Sequence, residues 1–263
     1  MQNRFVGDIG DYVKLAILRA LSPGYHLGIA WWLFPDEAHI KDGWYIDYLQ
    51  RADRWRRYDP DLFDSLGRIV VSGWRDVSAL EAPNILSGAI FANEMFPFGR
   101  VIGDRRQARQ EWFARVKRSL ANANLVFVDP DNGLEPGFFG HGSAKSGKSV
   151  RLSELREFAA PGRCLIVYHR ETRRAGSRYG DIELWVERLR ACGSTIVDAL
   201  IAKPYSPRVF FLLDAPADVR RRAEQIQRNW DGLITWHPDG GESSPAPVHV
   251  PISTGAAASR TQF

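Results

Sequence analysis

The sequence predicts an α/β fold: three layers, doubly wound about a mostly parallel sheet, with an antiparallel hairpin near the C-terminus. Three observations lead there. Short apolar runs alternate with amphipathic stretches along most of the chain, which is the order of strand–helix–strand units. Some runs, such as "RCLIVYH" (163–169), are apolar without alternation, as strands buried on both faces require. Finally, "TIVDALIA" and "RVFFLLDA" are separated only by "KPYSP". That is too little chain for a crossover, so the two must pair antiparallel.

The elements follow in order. "YVKLAILRAL" reads as an apolar first helix with Asp11 as its N-cap. "YHLGIAWWLF" (25–34) is a buried strand, and "PDEAHIKDG" is the loop after it. "DPDLFDSLG" (59–67) opens a short helix, "RIVVSG" is a strand, and "GAIFANEMF" (88–96) is another. Asp104 caps "RRQARQEWFARVKRSLANA", where Ala108, Trp112, Phe113, Val116 and Leu120 share one face. The strand "NLVFVD", a glycine-rich loop, the helix "SELREFAA" and the strand "RCLIVYH" come next. "DIELWVERLRACG" is a helix stopped by Gly193. After the hairpin, "PADVRRRAEQIQRNW" is the last helix. Residues 1–236 make one domain; 237–263, rich in Pro, Gly, Ser and Ala, make a disordered tail.

Composition narrows the function classes. The 263 residues are 44% hydrophobic and 25% charged, enough for one full core. A formal charge of +4 and a pI near 9.2 permit nucleic-acid or nucleotide partners without requiring them. Cys164 and Cys192 sit in apolar segments and are expected to be small buried residues, with no disulfide framework or cysteine metal site. No run approaches the ~18 apolar residues of a membrane span, and the N-terminus lacks the apolar stretch of a signal peptide. A cytoplasmic location without membrane contact is therefore expected; oligomeric state is not legible.

Chemistry-bearing residues gather at the ends of strands. Asp129, Asp131 and Glu135 follow "LVFV"; Asp36, Glu37 and Asp42 follow the first strand; His169 and Arg170 end "RCLIVYH"; Asp8 and Asp11 precede the first helix. In an open parallel sheet these positions meet at one edge, where ligands bind. A single acid there is most simply a cap or turn residue. Asp129 is less easily explained so, because it ends a strongly apolar strand where an unused carboxylate is costly. His169 reads equally as an acid–base group and as a core-edge histidine. The other five histidines show no metal-ligand spacing.

"GSAKSGKS" (142–149) fits a phosphate-loop pattern that would put Lys148 on phosphate oxygens and Ser149 on magnesium. It does not leave directly from a hydrophobic strand, as such a loop must. A glycine–serine loop with lysines facing solvent or a phosphate is the plainer reading. The basic runs "RADRWRR" (51–57), "RRQAR" (105–109), "RETRR" (170–174) and "RRR" (220–222), with Trp55 and Trp112 among them, suit nucleic acid or, more simply, solvated helix faces.

"FVGDIGDYVKLAILRAL" resembles the opening of the bacterial methyltransferases that modify an adenine amino group in large-subunit ribosomal RNA. "LVFVDPDNGLE" resembles their strand ending in Asp-Pro-Pro-Tyr, and the "CLIVYH" strand and terminal hairpin fall in matching order. The resemblance covers roughly residues 4–214 in short islands and implies a class I S-adenosylmethionine-dependent methyltransferase fold. It further implies that Asp129 accepts hydrogen bonds from the target amine, with Asp131, Glu135 and His169 beside it. Asp11, Lys14, Gly28 and Asp36 would then lie along the cofactor. The sequence also departs from that pattern. Trp31, Trp32 and Phe34 stand where the family has small residues, and Asn132 stands where it has a base-stacking aromatic.

Three readings follow. The first is a methyltransferase-like enzyme using S-adenosylmethionine on a nucleic-acid or nucleoside amine. The second is a magnesium-dependent phosphodiesterase or nuclease, with Asp36, Asp129, Asp131 and Glu135 as oxygen ligands and His169 or Lys148 assisting. The third is a non-catalytic binding module that keeps the fold without the cofactor.

Overall fold

A computed structural model describes residues 1–37, 45–99, 102–135, 144–170 and 178–240. Asp42, the stretch "RETRR" beyond Arg170, and residues 241–263 of the expected tail lie outside the described residues. In chain order the elements are α1 (Ile9–Leu21), β1 (Leu27–Ala30), α2 (Ala52–Trp55), α3 (Pro60–Ser72), β2 (Ile90–Ala92), α4 (Ile102–Ser119) and β3 (Leu125–Val128). Then come β4 (Gly133–Leu134), β5 (Ser149–Val150), α5 (Leu152–Phe158), β6 (Cys164–Arg170) and α6 (Arg178–Ala191). The chain closes with β7 (Val197–Ala202), β8 (Arg208–Leu213), α7 (Ala217–Asn229) and β9 (Ile234–His237).

Seven strands form one sheet in the order β2-β1-β3-β6-β8-β7-β9, and β4 and β5 pair separately. The pairs β1–β2, β1–β3 and β3–β6 are parallel; β6–β8, β8–β7 and β7–β9 are antiparallel. Only β8 and β9 therefore run against the other five. Side chains alternate across each strand, so Leu125 and Phe127 enter one core while Val126 and Val128 enter the other. The first core is closed by α1, α3 and α7, the second by α4, α5 and α6. Helices thus cover both faces of a mixed, mostly parallel sheet, a Rossmann-like arrangement.

Some expectations are corrected. Asp8, not Asp11, caps α1: its Oδ1 accepts the Asp11 N–H at 3.0 Å, and Asp11 sits inside the first turn. "RIVVSG" is no strand. Proline at the first position and an Asp59 cap start α3, which runs through those residues until Gly73, at φ +74°, ends it. Its β-branched run suggested a strand, but Leu62, Phe63 and Leu66 bury one side at helical spacing, and that packing decides. Asp104 lies within the first turn of α4 rather than before it. Cys192 is half-exposed, whereas Cys164 is buried as expected and its thiol is pushed up to about 12 by that burial. β9 was not foreseen: it continues the sheet into His237, the first residue assigned to the tail.

Candidate functional site

From β1 the chain goes to β2 on one side and later to β3 on the other. A reversal of this kind opens a crevice beyond the carboxyl ends of β1 and β3. Here that crevice is filled. Trp31 enters the first core, stacked on Phe91 at 6.1 Å, with its ring N–H donated to Glu81 at 3.1 Å. Trp32, held at φ +50°, turns into the second core against Trp112 at 4.7 Å. Met1 closes the remaining gap: its nitrogen donates to Trp32 O at 3.1 Å and Asp129 O at 2.9 Å, and lies 3.1 Å from Asp131 Oδ1.

Beside this plug lies a cleft of about 120 Å³. Asp8, Asp11, Lys14, Asp129 and Asp131 line one part of it; Tyr168, Arg170 and Arg208 line another; Phe5 and Tyr45 also border it. At its centre Lys14 Nζ is 2.7 Å from Asp11 Oδ1 and 2.7 Å from Asp129 Oδ2. Burial alone would lower the Lys14 ammonium, but the two carboxylates hold its pKa above the usual value, so it is a fixed cation. Burial raises Asp11. Burial and the neighbouring Asp11 charge raise Asp8 to about 6, against the pull of Arg208 and Lys14. Asp129 Oδ1 carries no hydrogen bond among the described residues.

The structure brings Asp8, Asp11, Lys14, Asp129, Asp131 and Arg170 together. It places the others elsewhere. Gly28 lies under the end of α4, where a Cβ would stand 2.7 Å from Ala123 Cβ; packing, not a cofactor, requires the glycine. Asp36 accepts the Arg4 N–H, and Glu135 is paired with Arg151 at 3.1 Å. His169 points to the opposite face of β6 from Tyr168 and Arg170. There it packs on Trp185 and Phe211, accepts the Leu134 N–H at Nδ1, and sets Nε2 3.9 Å from Asp181.

Lys148 does not face solvent. It is buried, bonded to Glu37 and 4.0 Å from Asp131 Oδ2. Ser149 opens β5 rather than a helix, so the phosphate-loop geometry is absent at these two residues. The segment is pinned from behind by Arg109, which is paired with Glu154 and donates to Ser146 O and Ser149 O. Trp55 and Trp112, which lie among the basic runs in the sequence, are buried in the cores, Trp112 on the apolar helix face expected for it.

Sequence reasoning missed Met1, Tyr45, Tyr168 and Arg208 as lining residues. Arg208 carried a signal: it is the only charged residue of "RVFFLL", and it follows a proline-bounded turn.

S-adenosylmethionine in its usual seat does not fit, since Trp31, Trp32 and Met1 occupy the crevice beyond β1 and Gly28 leaves no cradle there. The four carboxylates expected to hold magnesium do not fit it either: Asp36 accepts the Arg4 N–H, Glu135 is paired with Arg151, Asp131 with the Met1 nitrogen and Asp129 with Lys14. Among the described residues no three His, Cys, Asp or Glu side chains are grouped to hold a metal ion. No described helix is long and apolar enough to cross a membrane. Comparison with known proteins gave no match, either to a family model or to a curated protein.

Proposed function

We propose that the cleft binds the exocyclic amine of a nucleobase, presented by a nucleotide or nucleic acid, on a scaffold of the class I methyltransferase type whose cofactor crevice has been filled. One observation carries this reading. Asp129 stands at the carboxyl end of the central strand β3 with one oxygen held by Lys14 and the other unpaired in the cleft. That oxygen is open to the cleft and can accept an N–H from an entering group. The strand order supports the scaffold: an antiparallel β8 is inserted between parallel β6 and β7. The Asp129–Pro130 pair in the position implied by the ribosomal RNA adenine methyltransferase resemblance supports the target.

The residues around Asp129 suit acid–base work as well as binding. Burial and the neighbouring Asp11 raise Asp8 to about 6, and Lys14 holds a positive charge beside Asp11 and Asp129.

Calorimetry tests the reading with adenosine and cytidine monophosphates against uridine monophosphate, whose base has no amine. The amine-bearing nucleotides should bind at least about tenfold more tightly, and Asp129→Asn should remove the difference. Equal binding of all three overturns it. A titration with S-adenosylmethionine belongs in the same series; measurable heat would restore methyl transfer as the leading reading.

A further inference from the structure

We propose that the cleft wall formed by β6 and β8 is an oxyanion subsite, built by Arg208, Arg170 and Tyr168, that takes a phosphoryl group. Arg208 is 8% exposed and lies against the first turn of α1. Its Nη1 is satisfied by Pro204 O at 2.9 Å and Ser206 O at 2.7 Å. Nε and Nη2 have no acceptor among the described residues. They pass over Gly10, where a Cβ would stand 3.0 Å from Nε and 2.9 Å from Nη2. Only a glycine leaves the guanidinium this place.

Arg170, whose side chain is exposed, and the half-buried Tyr168 line the same cleft, also with no acceptor among the described residues. They sit two apart on β6, on the face away from His169, and Arg170 is in register with Arg208 on β8. Cross-strand register therefore brings the two guanidinium stems together.

Asp8 Oδ1 lies beside the Arg208 fork, 3.0 Å from the Gly10 Cβ position, but accepts no hydrogen bond from it, and the other acids are engaged elsewhere. Lys14 engages Asp11 and Asp129, Asp131 is held by Met1 and Gln2, and Asp8 caps α1. Unused donors of this density, including a planar fork in a nearly buried guanidinium, are complementary to a compact anion with several acceptor oxygens. Phosphate matches that count and shape better than a carboxylate, which presents only two oxygens.

That the phosphate belongs to a nucleotide rests on the function proposed above; the anion subsite itself does not. Calorimetry of the full chain with adenosine monophosphate, adenosine and inorganic phosphate separates the two. Adenosine monophosphate should bind about tenfold or more tightly than adenosine, and inorganic phosphate should compete with it. Arg170→Ala and Tyr168→Phe should each shrink the ratio of the two affinities severalfold. They serve alongside Arg208→Lys, because loss of the Nη1 bonds could unfold the Arg208 variant.

Equal affinity for adenosine and its monophosphate overturns the subsite and leaves the amine reading standing. Equal, phosphate-dependent affinity for adenosine and uridine monophosphates keeps the subsite and overturns the amine reading. Binding of phosphate that is indifferent to all three substitutions overturns the assignment of these residues.

Discussion

At the scale of single residues, Lys14 decides most about the site. It reaches the cleft from the second turn of α1, buried, with one carboxylate from its own helix and one from β3. Two buried acids without it would be left uncompensated, and breaking such an arrangement from one side is costly. Lys14→Met should destabilise the fold by about 3–5 kcal/mol, read as a shift of the urea midpoint. The double variant Lys14→Met/Asp11→Asn should lose clearly less than the sum of the two single changes. Asp8 makes the opposite kind of prediction. Its folded value near 6 lies above the ordinary 3.8. Between those values the folded chain binds more protons than the unfolded chain, so stability falls as pH rises through that window and the penalty is complete at pH 7. Asp8→Asn keeps a good helix cap and removes the charge. It should flatten that fall, with a gain at pH 7 of up to ~3 kcal/mol. Unfolding curves at pH 4.5, 6 and 7 measure it. Below that range Glu37, Asp76 and Glu94, whose values are lowered by their partners, lose stability as they protonate and act in the other sense.

Among elements, most of the sheet was legible because its strands announce themselves by continuous apolarity. "LVFV" and "CLIVYH" have no alternative in a chain of this composition. The segment 68–73 was not, since β-branched residues favour strands locally while the burial of Leu62, Phe63 and Leu66 holds them in α3. Gly28 misled for a related reason. A glycine in the first strand of this fold suggests a cofactor cradle, yet its neighbours are Leu120 and Ala123 at the end of α4. Gly28→Ala would put a Cβ 2.7 Å from Ala123 Cβ and 3.1 Å from Leu120 Cδ2. It should cost about 1–3 kcal/mol by overpacking and leave nucleotide affinity unaltered. Adding Ala123→Gly should restore much of the melting temperature. If Gly28→Ala instead abolished ligand binding without lowering the melting temperature, the glycine would have the cofactor role after all. The Arg109–Glu154 pair does for the 144–150 segment what Lys14 does for the cleft. It ties α4 to α5 and fastens Ser146 and Ser149 from behind.

Over the whole molecule, the place where the strand-end residues gather was legible and the composition of that cleft only partly so. The rule that strand ends converge placed Asp129, Asp131, Asp11 and Arg170 correctly at one edge. It could not see that β6 turns His169 to the far face, because the direction of a strand's alternation is set by packing on both sides rather than by its own residues. Nor could it see where the positive charge is spent. The basic runs look like a nucleic-acid surface in the sequence. In the fold Arg56 meets Asp64, Arg57 meets Asp231, Arg109 meets Glu154, Arg220 meets Asp198 and Arg222 meets Asp218. Charges already paired with carboxylates release few counterions when a phosphate backbone approaches. The unpaired guanidinium groups that matter for a ligand are those of Arg170 and Arg208 inside the cleft, and each neutralised phosphate contributes about −0.7 to the logarithmic salt slope on a single strand. A short adenine-containing oligonucleotide should therefore bind with a slope of about −1 to −2 in log affinity against log salt. An extended basic track making six to ten phosphate contacts would give about −4 to −7. Fluorescence anisotropy across 50–300 mM salt reads the slope. A steep value would mean that the helix faces carrying the basic runs exchange their carboxylate partners for phosphates, and that recognition extends well beyond the cleft. A shallow one, lost on Arg170→Ala, would confine it to the point where β3, β6 and α1 meet.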